Sequence, residues 1–502
     1  MSTSAKIPAQ SPGGATPANP RRWLALAFIA FAQLMVIIDV TIVNIALPSA
    51  QQDLDVTDAS RQWVITSYTL AFGSLLLLGG RIADYTGRKR AFLIGLVGFA
   101  GASALGGAAN TFGLLLAARA LQGAFGALLA PAALSLLAVN FTEPKERAKA
   151  FGVFGAIAGG GSALGLVLGG VLTEYLDWRW CFFVNIPIAA IAGVGAYLVL
   201  TETRAEGRAK FDIPGVLLVT AGLFAIVYGL GEAETEGWDS ALVIGMLIAG
   251  TLLMGLFVYV ETRVAKPLLP LRVVLDRTRG SAYLAIGLAV IGMFAMFLFL
   301  TYYLQVVKGY SPVKAGLAFL PMSVGVVITG GGISSRLIPK VAPRMLMVPG
   351  MLIAASGMFM LSRIGVDTSY AAGVLPAEFL LGAGMGLVMA PAMNYATHGV
   401  KDEDSGVASA MANTAQQVGG SIGIALLNTI ATTATGDYLK SHAPVNPGVR
   451  LEGLVHGFSV ATVYAGCILV GAAVLVGFLM DTPRPKHAEE GAPAPLGAVH
   501  VG

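Results

Sequence analysis

Stretches like FAQLMVIIDVTIVNIALPSA, residues 31–50, recur fourteen times along this 502-residue chain. Each approaches the ~20 apolar residues that a helix needs to cross the hydrocarbon core of a bilayer. They fall at about 22–48, 62–80, 91–109, 112–139, 150–173, 181–200 and 213–231, then at about 240–260, 281–307, 313–333, 345–363, 370–397, 405–433 and 458–480. Only 12% of the residues are charged and 56% are hydrophobic. A soluble protein carries about 25% charged residues, so the chain reads as an all-α integral membrane protein of fourteen transmembrane helices. Its 64 glycines agree, because small residues let membrane helices approach closely.

The same composition excludes several functions. A net charge of +4 is too small to suggest nucleic acid. The two cysteines, Cys181 and Cys467, lie far apart in apolar segments, and the five histidines fall in loops, tails or at a helix end. No cluster has the spacing of a metal site or a catalytic nucleophile, so neither an enzyme nor a bound cofactor is expected. Residues 1–21 and 482–502 read as disordered tails. The first span is too long, and too acidic at Asp39, for a cleaved signal peptide.

Lysine and arginine set the orientation. With the N-terminus inside, 24 of the 32 fall in the tails and alternate connections on that side, 7 fall on the other, and Arg119 lies within a span. Both termini are therefore expected in the cytoplasm, and Ala/Gly richness points to a bacterial membrane.

The connection between the second and third spans reads GGRIADYTGRKR. Its Gly80, Asp84, Gly87, Arg88, Lys89 and Arg90 form a short turn in which an acid faces a basic cluster. The spacing resembles the signature loop of the major facilitator superfamily, which influences the switch between inward- and outward-open states. DVTIVNIALP at 39–48, WRWCFFVNIP at 178–187, FDIPG at 211–215, YLQVVKGYSPVKAGLAFLP at 303–321 and SGVASAMANTAQQVGGSIGIAL at 405–426 resemble the fourteen-helix drug:proton antiporters of the EmrB/QacA type. The resemblance spans residues 22–480. It implies an N-terminal six-helix bundle over 22–200, two inserted helices and a linker over 201–279, and a C-terminal six-helix bundle over 280–481. RALQGAFGALLAPA at 119–132 echoes EFLLGAGMGLVMAPA at 378–392, which agrees with two related halves.

Three charges inside spans require a reason. Asp39 lies about nine residues, roughly 13 Å, from the outer end of its helix, and Arg119 about 10 Å deep in the fourth span. Opposite charges at similar depth predict contact, either as a proton- or substrate-handling pair or as a static pair that fixes packing. A carboxylate beside an arginine stays ionised, and moving the arginine or drying the site favours the neutral acid. Arg119, Gln122 and Gly123 match the family's R-x-x-Q-G motif, which the resemblance ties to proton coupling. Glu378 sits near the Arg119 position of the repeat. It is read as a second proton site, a counter-charge for a cationic substrate, or an acid that simply reaches outer water.

Gly155, Gly159, Gly161, Gly165 and Gly169 line one face of the fifth span, and Gly170 follows. Such spacing permits tight helix contact. GGGSALGLVLGG at 159–170 resembles the family's antiporter motif, with Leu166 where that motif has proline, so a straighter helix is expected. Met293, Phe294 and Phe297 of the ninth span, with Gln33 and Gln122, are candidates for a substrate cavity, against the commoner alternative of core or lipid-facing packing.

The leading expectation is a monomeric antiporter that exchanges protons for amphipathic or cationic small molecules. A proton-coupled transporter of one metabolite, endogenous antibiotic or lipid is the alternative. A non-transporting sensor is the third, but no nucleotide-binding loop or soluble domain supports it. GAGMG at 382–386 lies inside a span and reads as packing.

Overall fold

The computed structural model describes residues 21–480, apart from 58–59, 142, 203–211, 265–266, 339, 401–404 and 445 and some further side chains, mostly between 144 and 159. The predicted disordered tails lie outside this range, Arg21 excepted. Thirteen helices among the described residues are long and apolar enough to cross a membrane. These are α1 (Arg22–Asp53), α2 (Trp63–Thr86), α3 (Arg88–Gly107), α4 (Phe112–Asn140), α6 (Trp180–Val199), α7 (Ile213–Glu236) and α8 (Ala241–Glu261). They continue with α9 (Arg277–Val307), α10 (Pro312–Leu337), α11 (Arg344–Leu361), α12 (Tyr370–Ala396), α13 (Ser405–Ser441) and α14 (Pro447–Leu479). The fifth predicted span is α5 (Pro144–Tyr175), whose 32 residues are also long enough to cross.

Local chemistry starts these helices where the chain re-enters. Thr111, Asp276, Ser311 and Asn446 each accept a hydrogen bond from a backbone N–H of the following first turn. Proline occupies an early position in α5, α7, α10 and α14, where its missing N–H removes no helical bond. Wider π-turns interrupt α9 at Tyr303–Val307, α10 at Val327–Ser334 and the start of α12 at Tyr370–Val374. The predicted turn at 80–90 is mostly helical. Gly80 to Thr86 complete α2, the break is Gly87 with φ of 108°, and α3 starts at once at Arg88.

Helix contacts repeat between the halves. In the first, α1 lies on α5 and α6, while α4 lies on α2 and α3, and α3 meets α6. In the second, α9 lies on α13 and α14, α12 on α10 and α11, and α11 meets α14. The broadest contacts across the seam are α2 with α13 and α5 with α10. The inserted hairpin of α7 and α8 rests beside the first of these, with α7 touching both α2 and α13. Gln62 at the start of α2 donates to the Gly231 carbonyl at 3.5 Å, and Thr429 of α13 donates to the adjacent Leu230 carbonyl at 3.0 Å.

The seam is tied on the face opposite the Gly87 turn. There Gln305 donates to the Ile45 carbonyl at 2.9 Å, and the Val313 N–H donates to Glu174 at 2.9 Å. Tyr302 hydrogen-bonds Gln51, and the Arg61 guanidinium lies 3.9 Å over the Tyr302 ring. Deeper in the seam, the Thr69 and Ser421 hydroxyls are 2.7 Å apart.

Candidate transport site

Asp39 is fully buried in the middle of α1 and faces the inside of the first bundle. Its Oδ2 accepts from Arg119 Nη1 of α4 at 2.7 Å. Its Oδ1 accepts from Gln122 Nε2 at 2.8 Å and from Asn185 Nδ2 of α6 at 2.7 Å. Ser103 of α3 closes the group, accepting from Gln122 at 2.8 Å and from Asn185 at 3.3 Å. Arg119 is held in turn by the Val64 carbonyl, by Gln122 Oε1, and by the Tyr68 ring 4.3 Å away. A buried carboxylate is tolerated when it is paired and every lone pair it uses has a donor. This one has three donors from two other helices.

The predicted Asp39–Arg119 contact therefore exists. Gln122 does not line a cavity between bundles: three residues past Arg119 it shares that helix face and is absorbed into the same network. Gln33 is half-buried and shares no face with Asp39, because six residues turn an α-helix by about 600°, leaving the two about 120° apart. Asn185 and Ser103 were not anticipated. Asn185 lies within the quoted WRWCFFVNIP, which marked it as familiar without giving it a partner.

Glu378 is also fully buried, so the alternative that it reaches outer water fails. Neither of its carboxyl oxygens has a hydrogen-bond partner among the described residues. The nearby Tyr370 hydroxyl donates instead to the Ala318 carbonyl at 2.7 Å.

The glycine stripe divides its work. β-Carbons on Gly161 and Gly169 would lie 3.0 Å from Ile37 and 2.9 Å from Ile42 of α1, and one on Gly165 would collide with Thr41. Gly170 turns instead to α10 across the seam. Gly155 and Gly159 lie outside the described side chains. Helix α5 runs without a break through Leu166, as the missing proline predicts.

Phe294 is core packing, buried against Gly420 of α13. Met293 and Phe297 are half-buried, and the Phe297 ring lies 5.4 Å from that of Phe319 on α10.

At the basic face, the first N–H groups of α3 meet an anion that sequence reading missed. Glu202, just after α6, accepts from the Lys89 and Arg90 backbone N–H groups at 3.2 Å each. Lys89 Nζ reaches the Tyr197 and Leu200 carbonyls at 2.7 Å each, tying the same turn to the end of α6. The Asp84 side chain lies outside the described residues.

A family model of the Major Facilitator Superfamily matches residues 29–424. The chain is 51% identical over 486 residues to a puromycin resistance protein of Streptomyces alboniger, covering 96% of each chain. It is 39% identical over 425 residues to a cephamycin export protein of Amycolatopsis lactamdurans, covering 84% of this chain and 87% of that one. It is 36% identical over 473 residues to a lincomycin resistance protein of Streptomyces lincolnensis, covering 93% and 94%. Among solved structures, a bacterial homologue of the lysosomal transporter Spinster, inward-facing and unoccupied, superposes with a TM-score of 0.64 at 17% identity, covering 92% of this chain and 97% of that one. The fold, the crossing pairs of helices and these relatives agree: the chain is a multi-pass membrane protein and belongs to the Major Facilitator Superfamily.

Proposed function

We propose that the chain is an antibiotic efflux transporter of a bacterial cytoplasmic membrane, driven by the proton gradient. The Gly87 face and both termini lie in the cytoplasm. The substrates are amphipathic or cationic small molecules, and puromycin is the first candidate because of the end-to-end likeness to a puromycin resistance protein. Relatives named for single antibiotics favour a narrow range over a broad one.

The observation that carries proton coupling is the Asp39 network. All three of its donors address a charged carboxylate. A proton on Oδ1 would face two N–H donors, so it binds only when a donor turns or a helix shifts. Protonation at Oδ1 and rearrangement of its donors are therefore one event, as antiport requires. The ties across the seam opposite the Gly87 turn suit the half-cycle in which the outer side is shut.

The test uses proteoliposomes with an imposed pH gradient and puromycin. Wild type is expected to move puromycin against its gradient only while the proton gradient lasts, and Asp39→Asn is expected to lose that dependence. Equal coupled pumping by Asp39→Asn would remove Asp39 from the proton path. Puromycin movement without any proton gradient would defeat coupling altogether.

A further inference from the structure

Resting on that reading of Asp39, we propose that Asn185 is the positioning residue that registers the charge of Asp39 and passes the change to α6. The argument starts with the two ends of its carboxamide. Nδ2 donates to Asp39 Oδ1 at 2.7 Å and to Ser103 at 3.3 Å. Oδ1 is buried with no hydrogen-bond partner among the described residues. An acceptor left dry and unused inside a membrane bundle carries a penalty that a purely structural asparagine would avoid.

The unused acceptor acquires a partner in the other protonation state. When the proton that drives transport bonds to Asp39 Oδ1, the carboxylate becomes a neutral acid with one O–H to donate. A half-turn of the Asn185 amide presents its Oδ1 to that O–H and directs Nδ2 away from it. Gln122 is less suited to this exchange, because its Oε1 already accepts from Arg119 at 2.9 Å. Arg119 keeps the Val64 carbonyl and the Tyr68 ring when its ion-pair partner is discharged. The titratable groups around the acid are Arg119 of α4, Tyr68 of α2 and Cys181 of α6. Helix α3 contributes Ser103, and α5 presents Gly165 to α1.

Asn185 is also placed to pass the change on. It begins the continuous part of α6, and the far end of that helix holds Lys89 through the Tyr197 and Leu200 carbonyls. The amide thus stands at one end of α6 and the Gly87 turn at the other.

The test is pH-difference infrared spectroscopy of the purified protein in lipid, which needs no substrate. The Asp39 carboxyl band is identified as the one missing from Asp39→Asn. In Asn185→Leu its midpoint is expected about one pH unit or more above wild type, because a donor to the charged form is gone. Its carbonyl stretch should also move to higher frequency, because the acid has lost its acceptor. Asn185→Asp, which places a second carboxyl beside Asp39, should move the midpoint further in the same direction and serves if the leucine variant does not fold. A titrating Asp39 band with unchanged midpoint and frequency in these variants overturns the role of Asn185. Absence of any band dependent on Asp39 overturns instead the proton-site reading beneath it.

Discussion

Gly170 and Pro312 meet across the seam between the bundles: a β-carbon on Gly170 would lie 2.6 Å from the Pro312 carbonyl oxygen and 2.7 Å from Val313 Cα. Gly316 of α10 answers it by resting against the Leu166 carbonyl of α5. Each bundle supplies one glycine, and the two backbones close on each other with no side chain between them. The glycine contact itself uses no hydrogen bond, while the adjacent Val313 N–H bond to Glu174 must break when the seam opens.

Gly170→Leu is expected to wedge the seam without disturbing either bundle. The distance between spin labels at Leu176 and Val306, both exposed near this face, should lengthen, with Cys467 replaced by serine. An unchanged distance distribution would show that the contact does not hold the seam.

Arg119→Met should destabilise the protein by about 3–5 kcal/mol, because it strands a buried carboxylate. Adding Asp39→Asn should recover most of that loss, since the charge leaves with its partner. Thermal unfolding in detergent compares the two. A double variant no more stable than the single one would mean that Arg119 acts chiefly through Val64 and Tyr68.

Glu378 makes no side-chain hydrogen bond among the described residues. Glu378→Gln and Glu378→Leu should therefore unfold at or above the wild-type midpoint, and a fall in proton-driven transport would mark the acid as a proton or counter-charge site. A midpoint several degrees lower would reveal a structural partner.

Gly87→Ala meets two obstacles. The φ of 108° is one that side chains rarely adopt, and the new β-carbon would lie 2.6 Å from the Glu202 carboxyl carbon. The variant should insert and fold but turn over several-fold more slowly in the puromycin assay. Glu202→Gln, which keeps an acceptor for α3, should be milder.

The helices were legible because crossing a bilayer imposes both length and apolar content, but the ends were less so. Helix α14 starts at Pro447, eleven residues before its apolar core at about 458, because the first turns stand in polar surroundings where hydropathy gives no signal. The Asp39–Arg119 pair could be read because opposite charges at equal depth are rare in a membrane. Asn185 and Ser103 could not, since uncharged polar residues are common there and their partners come from helices that only the fold brings together. Glu202 was hidden for a similar reason: its contacts lie 112 and 113 residues back along the chain.

The neighbouring carbonyls of Leu230 and Gly231 take their hydrogen bonds from opposite halves of the protein, one from α13 and one from α2. Any motion that parts those two helices obliges the inserted hairpin to choose a side. It then drags against the other as a brake drags on a wheel. Parting α2 from α13 therefore breaks at least one of these two hydrogen bonds, so the hairpin favours the arrangement in which both are made.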